Sequence, residues 1–181
     1  VKIPPLFSLP YGAKLELVQG LDVQADRWAQ VKLINGEVAF IQRSDIVVQP
    51  KPLSIKEAVE LGVSFKGVPY SWGGNTVYGF DAAGLAQMLY QQMGVTLPRD
   101  IADLADLPQM RQTKLSELEP GDFLFFSLAD DGQIDHVGIY LGSSEFLHAS
   151  AKNTPPSVQV ASIKTPYWQA SLKKCCQLDR G

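Results

Sequence analysis

Polar and apolar residues alternate over Lys14–Val18 (KLELV), Trp28–Leu33 (WAQVKL) and Glu37–Ile41 (EVAFI), the two-residue period of half-buried strands. Asn35-Gly36 lies between the second and third runs. It predicts a tight hairpin with both turn residues at positive φ. So short an all-β module must close on itself to hide its strand edges, and residues 1–49 are therefore expected to form a small barrel domain. Val48–Leu53 (VQPKPL), with two prolines, reads as an extended linker.

From Ser54 the pattern changes. Ser54 and Glu57 have the spacing of a capping box, and Gly62 is expected to end the helix they begin. A second helix is predicted from about Asp81 to Met93, with Leu85, Met88, Leu89 and Met93 on one face and Gly94 beyond it. Ile101–Leu104 predicts a short third helix before Pro108. Strand patterns follow at Asp122–Phe126, Val137–Leu141, Glu145–His148 and Val158–Ala161, separated by Gly, Asn, Pro and Ser. Helices first and strands afterwards predict an α+β domain over residues 50–181, built on an antiparallel sheet. No internal repeat or low-complexity segment interrupts it.

Composition narrows the function. The 181 residues are 45% hydrophobic and 19% charged, with a formal net charge of -3. An acidic balance argues against nucleic acid or an anionic membrane as the main partner. No apolar run approaches the roughly 20 residues of a membrane span. The adjacent Cys175 and Cys176 offer neither a disulfide framework nor metal-ligand spacing, and they read as tail residues without catalytic duty. They are compatible with a reducing compartment, but cell envelope and cytoplasm both stay open.

The chain has two histidines, His136 and His148. Their spacing permits a strand, a turn and a return strand, so a hairpin could set both rings on one face. Simple packing at strand ends would account for the same spacing. A metal centre would need a third ligand, and Asp135, next to His136, is expected on the opposite strand face. No metal or cofactor is therefore expected. Glycines and aromatics crowd the stretch Gly67–Gly84 (GVPYSWGGNTVYGFDAAG), where Gly73-Gly74 suggests a close backbone approach.

Several blocks then occur in order: G-x-P-Y-x-W-G-G, F-D-x-x-G-L, L-P-R-D, L-x-P-G-D-x-x-F-F, H-V-G-I-Y-L-G and F-x-H-A. Over about residues 54–149 they resemble the NlpC-type peptidases of bacterial cell walls. The N-terminal run SLPYGAKLELV, W-x-x-V and NGEVAFI resembles the bacterial SH3-like domain that often accompanies them. The resemblance implies a papain-like catalytic domain in which a cysteine at a helix start is the nucleophile. It also implies His136 as base, His148 as the residue orienting it, and Tyr70 as a donor to substrate or oxyanion.

Ala82 departs from this pattern, because the family's D-C-S-G is Asp81-Ala82-Ala83-Gly84 here. A methyl group cannot attack a carbonyl, so the chain as written is expected to be catalytically dead. Either alanine replaces a natural cysteine, or the protein is a naturally non-catalytic binding relative. Retention of His136, His148 and Tyr70 argues for replacement. Tyr70, Trp72, Asp81, Ala83, Arg99 and Asp100 are the implied substrate-binding positions. Asp81 suits the free amine of an N-terminal L-alanine but also suits a helix N-cap. Arg99 and Asp100 suit a γ-glutamate carboxylate or a structural ion pair. The implied reaction is cleavage of the γ-D-glutamyl–diamino acid bond of peptidoglycan stem peptides by a monomer, with diaminopimelate and lysine both open.

Overall fold

The computed structural model describes residues 5–18, 27–129, 131–152 and 154–179. The chain divides into two compact units, Val1–Lys51 and Pro52–Gly181. In the first, β1 (Glu16–Leu17), β2 (Trp28–Lys32) and β3 (Val38–Gln42) form a three-stranded antiparallel sheet in the order β1-β2-β3. Among the described residues the expected barrel is thus an open sheet, and residues 1–4 and 19–26 lie outside them. The hairpin forms, but not with the expected turn. Gly36 N–H donates to Leu33 and Leu33 N–H to Glu37, which makes a three-residue loop of Ile34, Asn35 and Gly36. Within it only Gly36 has positive φ, because a type I turn followed by one left-handed residue suits this loop length.

The second unit begins with α1 (Ile55–Ser64), closed at its start by the expected capping box. Gly62 does not end it. It lies inside the helix, where a Cβ would stand 2.7 Å from Leu147 Cδ2 and 2.9 Å from Leu89 Cδ1, so its role is close packing. The short pair β4 (Asn75–Thr76) and β5 (Gly79–Phe80) leads into α2 (Ala82–Gln92). This helix is buried on more than the expected single face, with Ala82, Ala83, Ala86 and Tyr90 covered as well as Leu85, Met88 and Leu89. After α3 (Ile101–Ala105) come β6 (Met110–Thr113), β7 (Phe123–Phe126), β8 (His136–Gly142), β9 (Glu145–Ser150), β10 (Ser157–Ser162), α4 (Pro166–Ser171) and β11 (Leu172–Leu178).

Six strands make one sheet in the order β10-β9-β8-β7-β11-β6, with every neighbouring pair antiparallel. β6, α4 and β11 are absent from the sequence expectation. Cys175 and Cys176 are therefore not in a tail. They are buried in β11, paired to Leu124 and Phe123 of β7, and both thiols are free. Alternation assigns opposite faces of the sheet to opposite cores. Phe123, Phe125, Ile139, Leu147 and Cys176 pack with α2, whereas Leu124, Phe126, Phe146 and Cys175 pack with Trp168 of α4.

One contact fixes where α2 begins. A Cβ on Gly84 would lie 2.0 Å from the carbonyl oxygen of Gly74, and that carbonyl accepts the Asp81 N–H at 2.9 Å. Only a residue without a side chain lets the helix start touch the glycine-rich loop. Gly84→Ala is expected to destabilise the protein by about 3 kcal/mol, because backbone rather than a rotatable side chain must move. Urea unfolding of the two proteins measures it.

Candidate active site

Where α2 begins, β8 begins and β9 ends, a cleft of about 510 Å³ opens. That size suits a small peptide or similar ligand. Tyr70, Trp72, Asp81, Ala82, Ala83, Arg99, Asp100 and His136 all line it. Eight of the nine residues singled out from sequence thus share one cavity, and the ninth, His148, stands directly behind His136.

Asp81 organises one side. It is the N-cap of α2, and its Oδ1 accepts the Gly84 N–H at 2.7 Å. Its Oδ2 accepts the Gly73 N–H at 2.9 Å and the guanidinium of Arg99. The two readings of Asp81 from sequence are therefore weighted towards capping, and Arg99 forms an ion pair with it. Arg99 is placed by the segment after α2, which Gln87 ties down through a 2.9 Å bond from Nε2 to the Leu97 carbonyl. Asp100 is exposed at the rim, and it begins α3 without a side-chain capping bond. Trp72 is 89% exposed, also at the rim.

Tyr70 is held by its backbone. Its N–H donates to Pro156, and the chain on either side pairs with Phe80 through Ser71 N–H and Pro69 carbonyl. Partial burial, followed by the negative charge of Asp81, raises the phenol above its ordinary pKa. The hydroxyl is thus a proton donor at neutral pH. At the helix start, the N–H groups of Ala82 and Ala83 precede Leu85, the first intrahelical donor, and add the positive end of the helix dipole.

The other side carries the histidines. Continuing the Ile139–Leu147 register of β8 and β9 sets His136 opposite Ser150, so His148 lies on the diagonal of the same face. His136 Nε2 and His148 Nδ1 are 3.0 Å apart. The hairpin thus joins both rings, as its spacing allowed. Burial, reinforced by His148 and Lys152, depresses His136 to about 3, and burial depresses His148 to about 4. Both imidazoles are neutral at pH 7, so one nitrogen of each carries the proton.

Trp168, which sequence reading missed, shapes the surroundings of both rings. It stands perpendicular to His148 at 4.9 Å and nearly parallel to His136 at 5.7 Å, with Phe126 and Phe146 completing an aromatic wall. His148 Nε2 is buried with no hydrogen-bond partner among the described residues. An N–H can rest against an aromatic face, whereas a lone pair there has no partner. A proton on His148 Nε2 suits that aromatic setting. His136 Nε2–H then donates to His148 Nδ1, and Nδ1 becomes the basic nitrogen of His136. No spacing rule points to Trp168, since α4 itself is short and weakly patterned.

Asp135 corrects one expectation. It precedes the first residue of β8, where strand alternation does not yet apply, and it lines the same cleft as His136. Among the described residues no three His, Cys, Asp or Glu side chains gather into a metal-binding group.

The NlpC/P60 family model matches residues 67–177, more than half of the chain and the whole of this cleft. The chain belongs to the NlpC/P60 family. It is 30% identical over 145 residues to the gamma-D-glutamyl-L-lysine dipeptidyl-peptidase of Bacillus subtilis strain 168, covering 79% of this chain and 47% of that protein. The chain spans about half the length of the first curated relatives it matches. An NlpC/P60 family protein from Bacillus cereus ATCC 10987 shares the fold, with a TM-score of 0.78 at 24% identity over 94% of this chain and 55% of that one. RipD from Mycobacterium tuberculosis, described as a non-catalytic NlpC/p60 domain protein adapted to peptidoglycan binding, is 26% identical with a TM-score of 0.54, covering 69% of this chain and 98% of that one. The papain-like α+β architecture of the second unit is thus a family property, and its homologues are peptidoglycan peptidases and related binding domains.

The depressed histidines have a consequence for stability. The unfolded chain binds protons near pH 6.5 that the folded protein refuses until about pH 4 and 3. Their contribution to stability is therefore full above pH 6.5, falls as the pH drops from 6.5 towards the two folded values, and is lost below them. Between pH 6.5 and 5, before most carboxylates titrate, the loss should be on the order of 1–2 kcal/mol per histidine. Urea midpoints across that window should fall, and fall less steeply in His136→Gln.

Proposed function

We propose that the cleft binds peptidoglycan stem peptides and that residue 82 is the nucleophile position of a cell-wall peptide hydrolase. In the catalytic form a cysteine at 82 attacks the carbonyl of the γ-D-glutamyl–diamino acid bond. Alanine leaves a chain that binds this peptide without cutting it. The observation that carries the reading is the paired His136 and His148 beside Ala82 at the start of α2.

The chemistry follows from placement. A thiol at 82 would give its proton to His136 Nδ1, and the helix dipole would favour the thiolate. Attack on the carbonyl carbon forms a C–S bond and an oxyanion, which the N–H groups at the start of α2 and the Tyr70 hydroxyl can meet. His136 returns the proton to the departing amine as the C–N bond breaks, leaving a thioester that water then hydrolyses. His148 keeps the His136 ring and tautomer in place. Asp81 and Arg99, already paired, present one anion and one cation to the acyl part of the peptide: the carboxylate for an α-amine and the guanidinium for the glutamate carboxylate. The N-terminal sheet reads as part of an SH3-like domain.

The Ala82→Cys protein, incubated with L-Ala-γ-D-Glu-diamino acid tripeptide, is expected to release L-Ala-D-Glu, read by mass spectrometry. Adding His136→Ala should lower that rate by at least about a hundredfold. A second reading, a naturally non-catalytic binding relative, is favoured by Ala82 itself and by the likeness to RipD. It holds if well-folded Ala82→Cys protein leaves the tripeptide intact while the Ala82 protein binds it.

A further inference from the structure

The histidine side of the cleft holds two opposite charges that no step above uses. Asp135 and Lys152 both line it, and both are tethered to one residue, Leu128. Asp135 Oδ1 accepts the Leu128 N–H at 2.7 Å, and Lys152 Nζ donates to the Leu128 carbonyl at 3.0 Å. The N–H and C=O of a single residue thus hold the carboxylate and the ammonium at the cleft wall. Among the described residues the two form no ion pair with each other or with a third group. Each is exposed and keeps further hydrogen-bonding capacity for a ligand.

Position tells which part of the ligand they meet. A general acid must lie within hydrogen-bond reach of the leaving nitrogen. The leaving residue therefore occupies the His136 side of residue 82, and the acyl part occupies the side of Tyr70, Asp81 and Arg99. Asp135 is the chain neighbour of His136, and the Lys152 charge is close enough to bear on that ring. Both groups thus face the leaving diamino acid and its side chain. A lysine side chain ends in an ammonium alone. A diaminopimelate side chain ends in an ammonium and a carboxylate on one carbon.

We propose that Asp135 and Lys152 form a two-charge receptor for the zwitterionic end of the leaving residue's side chain, so that the cleft selects diaminopimelate over lysine. The ligand's ammonium meets Asp135 and its carboxylate meets Lys152. The assignment rests on the reading of the cleft as a stem-peptide site. Without Lys152 the extra carboxylate would gain no partner, and a lone Asp135 would accept either residue.

The test uses the Ala82 protein, which holds its ligand uncut. Calorimetric titrations would compare L-Ala-γ-D-Glu-meso-diaminopimelate, the same peptide with the side-chain carboxylate amidated, and L-Ala-γ-D-Glu-L-Lys. The diaminopimelate peptide should bind about fivefold more tightly than either of the others, the upper end for an exposed charge pair. Lys152→Gln should bring that ratio to within about twofold of one, and Lys152→Arg should retain it. Asp135→Asn, which still accepts the Leu128 N–H, should weaken all three peptides, each of which carries the ammonium. Circular dichroism confirms that each variant is folded. Equal binding of the three peptides, or an unchanged ratio in Lys152→Gln, would overturn the assignment while leaving the stem-peptide site standing. Failure of the unaltered protein to bind any of them would overturn both.

Discussion

The carboxylate of Asp81 holds the site together. It gathers the N–H of Gly73 from the glycine-rich loop, the N–H of Gly84 from the first turn of α2 and the guanidinium of Arg99. Three separate segments converge on one side chain, and residue 82 is next to it in the chain. The absence of a side chain at Gly84 allows that convergence, since the Gly74 carbonyl occupies the space a Cβ would need. Charge and close packing thus act on the same few atoms.

The sheet then supplies the second half. β8 and β9 carry one histidine each, and their register puts the rings on the α4 face, where Trp168, Phe126 and Phe146 exclude water. A dry, aromatic setting keeps both imidazoles neutral, and a neutral imidazole can accept a proton. An anion at residue 82 would raise His136 again, because an opposite charge nearby favours the protonated ring. The depressed value is thus that of a base at rest beside a methyl group.

Much of this was legible in the residues. Ser54 and Glu57 named the start of α1, Asp81 named the start of α2, and the spacing of His136 and His148 implied a hairpin. The unread parts depend on partners distant in sequence. β11 carries two lysines and two cysteines, a poor strand pattern, and becomes a strand because β7 and β6 flank it. Gly62 looked like a stop because its neighbours Leu89 and Leu147 belong to other elements. The tethering of Asp135 and Lys152 to Leu128 joins residues up to 24 apart through loops that no periodicity describes. Local signals marked where elements begin, while register and loop closure decided what faces what.

The burial of Cys175 and Cys176 matters for any sulfur chemistry attempted on this protein. As neighbours in one strand they face opposite cores, so they are poorly placed to join to each other. Burial pushes both thiols up, Cys175 to about 11, which leaves scarcely any thiolate at neutral pH. They are the two cysteines of the sequence, and both are muted. A sulfur installed in the cleft would therefore react against a silent background, and an alkylating probe would count active centres rather than cysteines.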